Sequence, residues 1–78
     1  MSRITVIMNL DNNEPIDIEI PADAAADALL LALNKTFRPD KRGAVALRSV
    51  NPLAYLCGNT RVDDVRLHDG SELFFVED

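Results

Sequence analysis

Residues 3–37 read RITVIMNLDNNEPIDIEIPADAAADALLLALNKTF, and a change of period inside this stretch decides the fold. Over residues 4–10 the apolar side chains alternate. Ile4, Val6, Met8 and Leu10 share one side, and Thr5, Ile7 and Asn9 share the other. A period of two in a β-branched run marks a half-buried strand. Residues 11–15 are turn formers, and after them Ile16, Ile18 and Ile20 alternate with Asp17 and Glu19. Two such strands around a short polar turn make a β-hairpin. Pro21 removes a ladder donor, and beyond it the period changes. Ala26, Leu29, Leu30, Leu33 and Phe37 recur at the spacing of one helix face, with Leu31 off the stripe. Residues 24 to about 35 are therefore a helix, rich in the strong formers Ala and Leu. Asp23 is its expected N-cap, and Asp27 and Lys35 suit the helix dipole.

The remaining residues hold short strands and breakers. Residues 38–43 form a polar loop with Pro39 and Gly43. A third strand is expected over residues 44–50, with Val45 and Leu47 on one face, and a turn at Asn51-Pro52. Residues 55–57 read as a short fourth strand closed by Gly58-Asn59. Val62, Val65 and Leu67 anchor the polar loop that follows. Asp69-Gly70 is a tight turn, and residues 73–76 are the last strand. A hairpin followed by a helix forces a crossover, for which the right hand is preferred. The helix then covers one face of the sheet, and later strands join beside the first. The expectation is an α+β fold of the β-grasp type, a mixed sheet of four to five strands with one helix packed across it, spanning residues 1–78 as a single domain.

Composition narrows the function. The 78 residues are 47% hydrophobic and 27% charged, which suits a folded globular chain and not a disordered one. The longest apolar run, residues 28–33, is far short of the roughly 20 residues of a membrane span. The opening Met-Ser-Arg-Ile-Thr-Val has no apolar segment before a cleavage site and reads as a strand rather than a signal peptide. A net charge of −5 argues against nucleic acid as a partner, because the phosphate backbone repels such a surface. Arg38, Lys41 and Arg42 are the one basic cluster, expected as a solvated loop. A single cysteine, Cys57, forms neither an internal disulfide nor a cluster, which suits a reducing, cytoplasmic setting.

The chain resembles the ubiquitin-like superfamily and, within it, the YukD/EsaB group of type VII (Esx-type) secretion loci. It is also similar to the ubiquitin-like domain that opens the EccD membrane component of related systems. The resemblance covers nearly the whole chain. It rests on Arg3-Ile-Thr-Val-Ile7, Ile18-Glu-Ile-Pro-Ala-Asp23, the paired Leu29-Leu30, Leu47-Arg-Ser-Val-Asn51 and the stretch from Gly58 to Leu73. It implies a non-conjugated accessory or regulatory component of a secretion system, acting through protein–protein contact and not as an enzyme. The alternatives are an excised cytosolic domain of a membrane-bound secretion component and a generic interaction module. Conjugated ubiquitin-like proteins and sulfur carriers end in Gly-Gly. Here the last residues are Phe75-Val76-Glu77-Asp78, with no glycine after Gly70, so conjugation and sulfur transfer are not expected.

Chemistry-bearing residues are sparse. His68 beside Asp69 has the makings of an oriented base, but an exposed loop histidine is the expected reading. Ser71 is expected to cap its own turn, and Cys57 to fill a small core position. Residues 11–14 are oxygen-rich but lack the glycine and the final glutamate of a calcium loop; they and Asp63-Asp64 read as turn chemistry. Gly43, Gly58 and Gly70 lie too far apart for a phosphate loop. No cofactor is expected. What remains is surface. With Ile4, Val6, Met8, Leu73 and Phe75 inward, Ile7, Phe74 and Val76 point out from the first and last strands, which the ubiquitin-like resemblance implies are central and parallel neighbours. Ala46 and Arg48 border them, giving an apolar patch with a basic edge. That patch is the expected protein-binding surface, and pairing with itself would make a homodimer.

Overall fold

The two periods become the two layers of the molecule. The computed structural model describes residues 2–10, 13–39 and 43–77. Its elements are β1 (Arg3–Asn9), β2 (Ile16–Pro21), α1 (Ala26–Phe37), β3 (Ala46–Val50), β4 (Ala54–Leu56) and β5 (Glu72–Val76). The strands form one mixed sheet in the order β2-β1-β5-β3-β4, with β1 and β5 parallel at its centre and the other pairs antiparallel. One helix on a five-stranded mixed sheet is an α+β, β-grasp-like arrangement, as the hairpin-then-helix order predicts.

The core lies between α1 and one sheet face. Ala26, Leu29, Leu30 and Leu33 from the helix meet Val6, Met8, Ile20, Leu47, Leu56 and Leu73 from the strands, with Phe37 and Phe75 packed against them. The expected stripe is the buried one. Val62 and Leu67 are buried and Val65 half-buried, so the 60–67 loop is anchored as its apolar residues predict.

Three local expectations give way to tertiary contacts. The helix begins at Ala26, two residues later than predicted, and Ala25 rather than Asp23 takes the cap position with no side-chain hydrogen bond. Loop carbonyls replace the carboxylate. The Ala26 and Asp27 amides donate to Thr60 O (2.7 Å) and Gly58 O (3.0 Å), and Val62 N donates to Ala24 O (2.9 Å). The free amides of a first helical turn accept any well-placed acceptor. Next, β3 starts at Ala46 and not at 44. The Asn34 side chain clasps Ala44 instead, accepting its N–H at 2.9 Å and donating to its carbonyl at 3.0 Å. Finally, Arg38 is no solvated loop residue. It is 6% exposed, pairs with Glu77 and lies over the Phe75 ring at 5.1 Å. A cation taken out of water needs such a counter-charge. Lys41 and Arg42 of that cluster lie outside the described residues, as do Asp11, Asn12 and Asp78.

Ser71 ties the lower end of the sheet together. Its buried Oγ accepts the His68 N–H at 3.0 Å and donates to Asn51 O at 2.7 Å. Asn51 itself has φ of 62°, a region asparagine tolerates better than most residues. Ser71→Ala removes both bonds at once. We expect a loss of about 1–2 kcal/mol, read from the urea midpoint at unchanged slope. A midpoint within error of the parent would show that water replaces the hydroxyl.

Candidate interaction face

The polar residues singled out in the sequence are occupied by structure. The exposed His68 has Nδ1 2.9 Å from the Asp69 carbonyl, while the Asp69 carboxylate accepts the Thr5 N–H at 2.8 Å. The acid thus secures β1 and does not orient the imidazole. The Ser71 hydroxyl caps the amide three residues back, as expected of a turn serine. Asp63 accepts from the Arg61 guanidinium at 3.1 and 3.0 Å, and Asp64 accepts the Arg61 N–H at 3.2 Å, so this acidic pair is turn chemistry. Cys57 is exposed, not the small core residue its neighbours suggested: Leu56 faces the core, and the strand ends there. Among the described residues no three His, Cys, Asp or Glu side chains converge on a metal-sized space. Among these residues, no helix is long and apolar enough to cross a membrane.

The sheet face away from α1 carries the other signal. Strand register fixes its layout, because directly paired residues point to the same side. One row crosses four strands as Asn9, Phe74, Arg48 and Tyr55. The next row down runs Asp17, Ile7, Glu72 and Val50. Above them Val76 pairs with Ala46. The Arg48 guanidinium sits over the Phe74 ring, 4.9 Å from its centroid. Asn9 donates to the Leu73 carbonyl at 3.1 Å and to Glu72 Oε1 at 3.5 Å, a polar seam beside the aromatic.

Ile7, Phe74, Val76, Ala46 and Arg48 all stand on this face, but they do not form the compact patch expected of them. Ile7 is level with Glu72, four residues before Val76, so the two are ~13 Å apart along the strand direction. Ile7 and Phe74 are diagonal neighbours, within reach of an aromatic side chain. Ala46 is 1% exposed and offers no contact surface. Its small side chain stands at the start of β3, level with Val76. Tyr55, level with Arg48 and 55% exposed, extends the face instead, and Leu53 in the preceding turn is 80% exposed. The sequence carried a sign of Tyr55: in a short strand where Leu56 is the apolar inward residue, the residue before it points outward.

A scan against protein-family models and a search of curated proteins find no match to this chain.

Proposed function

We propose that the chain is a non-catalytic ubiquitin-like interaction module, an accessory component of a type VII secretion system that works in the cytoplasm by docking a protein partner on the sheet face away from α1. The observation that carries this reading is the row Phe74, Arg48 and Tyr55 across three adjacent strands. Aromatics and arginine are the residue types enriched at the energetic centres of interfaces. A half-buried Phe with an arginine stacked on it is preordered, so little side-chain entropy is lost on binding. The choice of secretion apparatus rests on the sequence resemblance alone.

Titration of the labelled protein with the cytosolic domains of secretion components, followed by proton–nitrogen NMR, tests the proposal. Shifts should cluster on Ile7, Arg48, Tyr55, Phe74 and Val76. Shifts confined to α1, or none with any component, would sink it.

A further inference from the structure

The face away from α1 is polarised. In the strand lattice, with strands ~4.8 Å apart and ~3.3 Å per residue, Arg48 lies ~16 Å from Asp17 and ~20 Å from Glu19. Ile7 and Phe74 lie between these two ends. At the β3–β4 end Arg48 is the one charged residue among Val50, Tyr55, Phe74 and Val76, and it has no carboxylate within ion-pair distance among the described residues. At the β2 end Asp17 and Glu19 are exposed, and the Asp69 carboxylate lies across β1 from them, on the Thr5 N–H. Glu72, held by Asn9, marks the boundary, and Arg3 stands beyond, two rows past Ile7 at the far end of β1.

We propose that this face selects a charge-segregated amphipathic segment. Its carboxylates lie over Arg48, its apolar side chains run along Phe74 and Ile7, and its basic end reaches Asp17 and Glu19. The inference rests on the docking reading above and adds the chemistry of the partner. A guanidinium laid over a ring turns its N–H edges outward, ready for bidentate contact with a carboxylate. A chain of net charge −5 repels acidic partners almost everywhere, so this corner decides where an acidic end is admitted. In a helical partner, 16–20 Å corresponds to about 11–13 residues, or about three turns.

Two synthetic helices of roughly 18 residues test it. They share composition and apolar stripe; one carries glutamates at one end and lysines at the other, and its twin has the charges interspersed. By NMR titration at low salt the segregated peptide should bind about tenfold more tightly, with shifts at Arg48, Phe74, Asp17 and Glu19. The gap should close near 1 M salt, where screening acts within ~3 Å. Arg48→Glu should abolish the preference. Combining it with Asp17→Lys and Glu19→Lys should restore the preference, because the peptide then binds end for end. Equal binding of the two peptides on this face, or no recovery in the triple variant, overturns the charge rule and leaves the docking face standing. No shift with either peptide also overturns it, while the docking reading is judged by the titration with secretion components.

Discussion

Leu73→Ala should remove a large part of the domain's stability. Leu73 is fully buried on β5, level with Met8 of β1 on one side and Ser49 of β3 on the other, and it faces the helical leucines. Truncating such a leucine costs about 2–5 kcal/mol, and the upper half applies where the surroundings cannot collapse into the cavity. Central strands flanked on both sides are held in place by their ladders and do not move inward. A domain of 78 residues has roughly 4–12 kcal/mol in all. The variant should therefore unfold at a much lower urea concentration or fail to fold at room temperature. Leu31→Ala is the control: Leu31 is 70% exposed, and its loss should change stability by less than about 0.5 kcal/mol. Equal effects from the two substitutions would mean that the core lies elsewhere.

Phe74→Ala should have the second-largest effect, and on binding rather than folding. Phe74 neighbours Leu73 in the chain but points the other way, stands outside the core cluster and is half-buried beneath Arg48. Its removal should cost stability only about 1 kcal/mol, since the lost contacts are at a solvated face. For a partner seated on the row of Phe74, Arg48 and Tyr55, the loss of the central aromatic should weaken binding about thirtyfold, equivalent to about 2 kcal/mol. Calorimetry against a secretion component that passes the NMR test measures it. Affinity kept within about threefold of the parent would move the binding centre off this row.

Much of the fold was legible because its signals are local. Alternation in β1 and β2 and the leucine stripe of α1 each depend on residues within a few positions, and the side that each period marks is the side that is buried, except at Ile16, exposed at the start of β2. Chain order brought later strands in beside the first; that β5 is the one, and parallel to β1, was an expectation of the β-grasp type, and the sheet has it. The interaction face was half legible. Facing direction came correctly from the period of two for Ile7, Phe74, Val76 and Arg48, but the sequence carries no register between strands more than sixty residues apart. Ile7, Phe74 and Val76 were therefore expected close together, when the level partner of Ile7 is Glu72 and Val76 is four residues beyond it.

Periodicity and element order by themselves determined the class, an α+β fold with one helix on a mixed sheet, and most of its core residues, though Val45, expected to share a face with Leu47, is exposed. Tertiary structure alone decided the rest. It capped α1 with the carbonyls of Gly58 and Thr60 in place of the Asp23 carboxylate. It sealed Arg38 against Phe75 and Glu77, left Cys57 in solvent, covered Ala46, and put Tyr55 beside Arg48. Each of these depends on which distant segment arrives as a neighbour. A short-range pattern records which way a side chain points; only the folded chain determines what it meets there.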